Sequence, residues 1–314
     1  MAAALLACRT PEPLPPPRRL RWDTPDDDFI DADLWLPRAA APRAAVVLFH
    51  GLEGSSRSHY AQALAWVALR RGWALIVPHF RGCSGEPNRA PRAYHSGDHA
   101  EIDGMLRQAA RALAGVPLRA VGVSLGGNAL LRWLQEHGDH AGAVVQAAAA
   151  VSAPLDLAAA GAAIDRGLNR WLYARHFLRT MRAKAAAFAR AHPGRIDAAR
   201  AMRARTLRAF DDAFTAPLHG FAGVDDYWQR ASSRPHLARI AVPTLVLNAR
   251  NDPFVPAASL PTPEEVGPWV RLWQPAQGGH VGFAEPRFRG DPRGQVWGVW
   301  EHVSDWLQAA AALR

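Results

Sequence analysis

Ser124 is the residue whose setting most clearly predicts chemistry. It is the central residue of a G-x-S-x-G motif at residues 122–126. An apolar, β-prone run (118–123) precedes it, and a helix-forming run (129–136) follows. A serine at such a corner is a nucleophile elbow, in which small neighbours permit a strained turn and the helix start directs backbone N–H groups towards a developing oxyanion. The motif alone would also fit a glycine turn, but the strand–turn–helix context favours a nucleophile.

Asp252 and His280 are the candidates to activate that serine. A serine hydroxyl needs a base to accept its proton, and a carboxylate to orient the base. Asp252 follows the apolar run 242–248, and His280 follows the run 269–273 on a loop with glycines before and after it. We therefore predict Asp252 as the acid and His280 as the base, with one helix and one strand between them. The alternatives are a turn-forming aspartate before proline and a loop histidine bound by backbone.

Two backbone N–H groups are predicted to form the oxyanion hole. One belongs to Leu125, directly after the serine. The other belongs to Leu52, because Gly51 lets the chain bend so that the next amide can face Ser124. We expect His50 to support this loop rather than to react.

Composition excludes several other classes of function. The 314 residues are 49% hydrophobic and 21% charged, which is typical of a globular protein, and no apolar run is long enough to span a membrane. The two cysteines, Cys8 and Cys83, give no disulfide framework or zinc spacing, which favours a cytoplasmic location. His95 and His99 lack further ligands in a recognisable spacing, so neither a metal nor a cofactor is predicted.

The net charge of +9 raises the question of nucleic-acid binding. Lys184 is the only lysine, however, and no nucleic-acid-binding module accompanies the arginines. We therefore predict no nucleic-acid partner.

The order of the predicted elements indicates an α/β fold. Residues 1–19 are rich in alanine and proline and read as an unpacked leader, in which residues 5–8 only faintly resemble a lipoprotein cleavage box. Residues 20–314 are predicted to form one domain, with a hairpin first and then alternating strands and helices around a mostly parallel sheet. From about 154 to 235 the pattern is helical, which predicts a cap inserted over the sheet.

Seven motifs carry a resemblance to a known family. They are HGLEGSS (50–56), FRGCSGE (80–86), YHSGD (94–98), GVSLGGN (122–128), FDDAFTAPLHGF (210–221), ARNDPF (249–254) and GGHVGF (278–283). From about Leu20 onward the chain resembles the YheT-like branch of the α/β-hydrolase superfamily. The resemblance implies carboxylic-ester hydrolysis and puts Ser124, Asp252 and His280 on that family's nucleophile, acid and base. The leader, and Asn251 where an acidic residue often precedes the aspartate, depart from the pattern.

We therefore predict a serine carboxylesterase whose partner is a short- to medium-chain or lipid-like ester. A thioesterase or an acyltransferase would use the same three residues, and a catalytically silent binding protein would keep the same fold. The sequence leaves the acyl chain, the alcohol and the oligomeric state open.

Residues 166–208 hold twelve basic residues and one acidic residue. This cap segment is either a solvated outer face or a surface for weak contact with anionic lipid.

Overall fold

A computed structural model describes residues 9–38, 40–283, 285 and 294–312, and a single eight-stranded sheet organises them. The strands are β1 (Arg18–Asp23), β2 (Phe29–Trp35), β3 (Ala45–Phe49), β4 (Ala74–Pro78), β5 (Leu118–Val123), β6 (Ala148–Val151), β7 (Thr244–Leu247) and β8 (Val270–Trp273). Their order is β1-β2-β4-β3-β5-β6-β7-β8. The strands from β4 to β8 pair in parallel, whereas β2 is antiparallel to both β1 and β4. The predicted hairpin followed by a parallel sheet is confirmed.

Helices cover both faces of this sheet because its central strands are apolar on both sides. The helices that cover the sheet are α1 (His59–Arg70), α2 (His99–Ala112), α3 (Leu125–His137) and, near the end of the chain, α11 (Gly298–Ala311). One core lies between the sheet and α1 with α11 and includes Trp66 and Trp300. The other lies between the sheet and α2 with α3 and includes Ile102 and Trp133.

The described part of the predicted leader, residues 9–19, includes packed chain. Leu14 packs against the core beside α1, and the indole of Trp35 donates a hydrogen bond of 2.8 Å to the carbonyl of Pro15. The strand β1 already begins at Arg18. Ordered structure thus starts before Leu20, whereas residues 1–8 lie outside the described residues.

The predicted cap lies between β6 and β7. Its elements are α4 (Leu157–Ile164), α5 (Gly167–Asn169), a π-helical turn (Arg170–Ala174), α6 (Arg175–Ala191), α7 (Ala198–Arg203), α8 (Leu207–Phe210), a second π-helical turn (Asp211–Thr215), α9 (Ala216–Leu218) and α10 (Val224–Ala231). The cap has its own apolar cluster, in which Leu178 and Met181 pack against Phe210 and Phe214.

Two local expectations differ from the structure. Within the predicted helical stretch 154–235, the helix that starts at Ala198 ends before Ala204, and a new helix begins after Thr206, whose hydroxyl accepts from the Ala209 N–H. No α-helix separates Asp252 from β8. Two short 3₁₀ turns, Ala257–Ser259 and Pro263–Glu265, lie there instead, in a segment that contains five prolines. Proline has no backbone N–H group to donate, which explains why the helical turns in this segment stay short.

Candidate active site

Ser124 lies at the corner between β5 and α3 in a strained backbone conformation. Its φ of 53° and ψ of −121° are unusual for a residue with a side chain. The two glycines of the motif permit this corner, because a Cβ atom on Gly122 would collide with the backbone of Gly126, and one on Gly126 with the backbone of Phe49. The sequence therefore needs glycine on both sides of Ser124 for backbone packing.

The structure brings Ser124, His280 and Asp252 into one hydrogen-bonded chain. His280 Nε2 lies 3.0 Å from Ser124 Oγ, and His280 Nδ1 lies 2.8 Å from Asp252 Oδ2. Because a carboxylate only accepts, Nδ1 carries the proton and Nε2 is free to accept from the serine hydroxyl. The Asp252 side chain is fully buried, and its other oxygen accepts from the backbone N–H groups of Phe254 and Val255.

The loop that carries His280 is held from three sides. The side chain of Asn251 donates to Gln277 Oε1 at 2.5 Å and accepts from the Gly279 N–H at 2.8 Å. Ser152, at the end of β6, accepts from the Val281 N–H, and His59 Nε2 bonds the Val281 carbonyl at 3.0 Å. Val281 itself has a φ of 55°, so these contacts fix a backbone that would otherwise relax.

The predicted oxyanion loop after β3 is equally well supported. A Cβ atom added to Gly51 would lie 3.2 Å from Ser124 Cβ, so this loop runs directly beside the serine. The buried ring of His50 bonds the Gly51 carbonyl through Nδ1 and accepts from the Phe80 N–H through Nε2. Burial lowers the pKa of His50 to about 3, so the ring stays neutral and supports the loop as expected.

Neither predicted oxyanion donor has a hydrogen-bond acceptor within the described ranges. The N–H groups on either side of Leu52 are bound: that of Gly51 by the Tyr60 hydroxyl, and that of Glu53 by the Tyr94 hydroxyl. At the elbow, the Ser124 carbonyl accepts from the N–H groups of Gly127 and Asn128. Leu125 is the first residue of α3, so its own N–H group has no carbonyl partner within the helix. Two backbone donors, those of Leu52 and Leu125, are thus left for a ligand.

Lys184 of the cap forms an ion pair with this same loop, and no pattern in the sequence predicts that contact. Its ammonium lies 2.7 Å from Glu53 Oε1, which also accepts from the Tyr94 hydroxyl at 2.8 Å. Glu53 has a φ of 55° and directly follows Leu52. An ion pair between cap and core therefore fixes the residue next to a predicted oxyanion donor.

A cavity of about 710 Å³ lies between cap and sheet, with Ser124 and His280 in its wall. Its lining is mainly apolar, and the cap supplies many of its large apolar side chains, including Phe177, Met181, Phe188, Phe210, Phe214 and Trp228. Such a space can hold a hydrocarbon chain next to the serine.

Asn128 is a further residue that connects the site with the cap. Its buried amide donates to the carbonyls of Ser96 and Ala231, and its carbonyl oxygen accepts from the Ser233 N–H. It lies one turn after Ser124 on α3 and fixes the end of the cap. The sequence shows only a polar residue shortly after an apolar strand. That pattern does not identify its hydrogen-bond partners, which lie about 30 and 100 positions away.

Arg81 and His95, in two of the remaining sequence motifs, contact other segments of the chain. The buried Arg81 guanidinium binds Asp26, Asp28 and Glu101, and so joins three segments. The His95 ring packs 4.4 Å from that of His219 in the cap.

Sequence comparisons identify the family to which this fold belongs. The model of the family described as the alpha/beta hydrolase fold matches residues 44–286, which is more than half of the chain. The chain belongs to the α/β-hydrolase family. It is 41% identical over 291 residues to "Putative esterase YheT" of Escherichia coli (strain K12), with 91% of this chain and 83% of that protein covered. The predicted YheT-like relationship is confirmed.

More distant similarities point to the same group of enzymes. The chain is 31% identical over 248 residues to "Phospholipase ABHD3" of Mus musculus, which covers 78% of this chain and 60% of the mouse protein. An esterase structure from Pyrobaculum calidifontis superposes with a TM-score of 0.60 at 16% identity, over 99% of this chain and 90% of that one, which supports the fold alone. The chain is therefore an α/β hydrolase of the esterase and lipase type.

Proposed function

We propose that this protein is a serine carboxylesterase that works through an acyl-enzyme on Ser124. The observation that carries the proposal is the hydrogen-bonded chain from Asp252 through His280 to Ser124 Oγ, in the wall of an apolar cavity. Serine is unreactive at neutral pH without such a base, and the buried carboxylate holds the imidazole in the tautomer that can accept the proton.

The reaction follows from these positions. Ser124 Oγ attacks the acyl carbon of the ester while its proton passes to His280 Nε2. The negative charge on the acyl oxygen is bound by the N–H groups of Leu52 and Leu125. His280 then gives its proton to the departing alcohol, and a water molecule deprotonated by His280 releases the acid from Ser124.

The shape of the cavity supports a substrate with an apolar acyl part. Phe177, Met181 and Phe188 lie on one helix and line the space, and they would contact a hydrocarbon chain rather than a polar group. We therefore propose an ester with a short- to medium-length chain, or a lipid-like ester, as the substrate. A thioesterase or an acyltransferase would share the first half-reaction and differ in the leaving group or in the acceptor.

A labelling experiment separates an enzyme from a silent binding protein. A fluorophosphonate probe is expected to label the purified chain once, at Ser124, and labelling should vanish in Ser124→Ala. Hydrolysis of nitrophenyl esters by that variant should fall about 10⁴-fold or more, because loss of a nucleophile removes the covalent route. A folded Ser124→Ala protein that still turns over esters would show that Ser124 is not the nucleophile.

A panel of nitrophenyl esters and matching acyl-thioesters, from acetyl to long chains, identifies the substrate class. A clear preference for oxygen esters over thioesters of the same chain supports the esterase proposal. Faster transfer of the acyl group to an added alcohol than to water would instead indicate an acyltransferase.

A further inference from the structure

The surface of the cap carries three large apolar side chains in an unusual position. Leu168, Trp171 and Leu172 are 78%, 70% and 61% exposed, which makes them the most exposed of the large hydrophobic residues in the described ranges. They lie next to each other on α5 and the following π-helical turn. We call these three residues the cap tip.

The cap tip precedes the part of the same helical segment that packs inward. Ala174, Leu178, Met181 and Ala185 are buried, at a spacing typical of one helix face. Leu168, Trp171 and Leu172 belong to none of the apolar clusters that the described residues of the cap form. Exposing three such side chains together is unfavourable in water, which indicates that they have another partner.

The charge around the cap tip indicates what that partner is. Ten of the twelve basic residues between 166 and 208 are exposed, and within the described ranges eight of these ten form no salt bridge. The eight are Arg166, Arg170, Arg175, Arg179, Arg190, Arg195, Arg203 and Arg205. The first four of these arginines flank the cap tip in sequence, and an apolar cluster with tryptophan and leucine beside them complements a membrane surface with anionic headgroups.

The cap tip also lies close to the proposed active site. Tyr173, His176 and Phe177 follow it directly and line the cavity. The side chain of Asn169, within the same segment, donates a hydrogen bond of 2.7 Å to the carbonyl of Pro253, which follows Asp252. A membrane that touches the cap tip would therefore lie beside the cavity.

We propose that the cap tip and the four arginines that flank it in sequence dock this protein on an anionic lipid bilayer, with Leu168, Trp171 and Leu172 inserted among the headgroups. Docking does not require that Ser124 hydrolyses an ester, so the two proposals can fail separately. No helix in the described residues is long and apolar enough to cross a bilayer, so the contact would be with the membrane surface.

Vesicle sedimentation with Ser124→Ala tests docking without catalysis. Retention on vesicles of phosphatidylglycerol and phosphatidylcholine should be strong at low salt and weaken as salt rises, and pure phosphatidylcholine should retain much less. The triple variant Leu168→Ser, Trp171→Ser, Leu172→Ser should bind about tenfold or more weakly, since it removes the inserted groups. Trp269→Ser is the control. Trp269 is 42% exposed, but it directly precedes β8 and lies outside the cap.

A second pair of variants separates local charge from net charge. Arg175→Gln with Arg179→Gln should weaken binding about 25-fold, because each arginine near the surface contributes about fivefold. Arg239→Gln with Arg271→Gln makes the same change in net charge at exposed positions outside the cap, and it should leave binding nearly unchanged. Hydrolysis of a soluble short-chain ester by the serine-containing cap-tip variant should equal that of the unmodified protein.

Several results would overturn the docking proposal. They are absence of binding at low salt, equal binding to neutral and anionic vesicles, wild-type binding by the cap-tip triple variant, and an equal effect of the two arginine pairs. A concentration-dependent dimer that the triple variant abolishes would mean that a second copy of this chain covers the cap tip instead of lipid.

Discussion

Asp252 and Asn251 are adjacent in sequence and make different contacts with the loop of His280. Asp252 bonds the imidazole itself, whereas Asn251 bonds the backbone of Gly279 and the side chain of Gln277. The amide of Asn251 suits this position because it both donates and accepts. The contact with the imidazole is what makes Asp252 the proposed acid.

Exchanging the two side-chain types tests that assignment. Asp252→Asn should reduce kcat by about 10³–10⁴, because an amide that donates to the imidazole would favour the wrong tautomer. Asn251→Asp should reduce kcat little, since a carboxylate can still accept from the Gly279 N–H, and Gln277 can turn its amide to donate. The measurement is steady-state hydrolysis of a nitrophenyl ester. Similar losses in both variants would argue against Asp252 as the acid.

At the scale of elements, the cap and the hydrolase body are joined at several points near the proposed oxyanion hole. The side chain of Leu52 packs against the apolar cluster of the cap, and Lys184 on α6 binds Glu53. Asn128 on α3 binds the end of the cap from the other side. The position of the cap therefore affects the loop that carries Leu52.

Lys184→Met tests this connection. We expect kcat to fall about tenfold with a smaller change in KM, which is less than the loss of a whole oxyanion donor, typically about 10²–10³. Arg190→Met on the same helix is the control, because Arg190 is exposed and forms no salt bridge in the described ranges. If both variants keep full activity while thermal stability is unchanged, the ion pair has no part in positioning Leu52.

At the scale of the whole molecule, buried ionisable groups set how stability depends on pH. Burial lowers the pKa of His50, His95 and His219 to about 3 each, while burial raises that of Asp211 to about 6. Between pH 6.5 and 3 the histidines bind protons in the unfolded chain but not in the folded one, so stability falls as the pH decreases. Asp211 acts in the opposite direction between about pH 4 and 6, because it stays protonated only in the folded chain.

Two variants with opposite signs test this description. His219→Gln should reduce the dependence of the unfolding free energy on pH by up to about 1.4 kcal/mol per pH unit between pH 6 and 4, which corresponds to one proton. Asp211→Asn should make the dependence steeper by up to a similar amount, and should raise stability at pH 8, where Asp211 is buried and charged. Urea unfolding at several pH values measures both effects. Parallel curves for the two variants would contradict the assigned pKa shifts.

The distribution of charge is also a property of the whole molecule. The cap segment from 166 to 208 carries more positive charge than the net +9 of the chain, so the remainder is slightly acidic. Most of these arginines are exposed in the structure. A cytoplasmic location remains a prediction from cysteine content.

The sequence by itself determined the fold class, and it predicted the cap and the three residues of the proposed triad. Alternating apolar strands and helices are local patterns, and Ser124, Asp252 and His280 each follow a recognisable strand, so their order along the chain was enough to select them. Only the tertiary structure decided what holds those residues in place. Lys184 meets Glu53 across 131 positions, and Ser152 meets Val281 across 129. The sequence also does not show which apolar residues of 167–174 are buried. The packing of the cap leaves Leu168, Trp171 and Leu172 exposed. Contacts of this kind depend on how distant segments pack, and local periodicity carries no record of them.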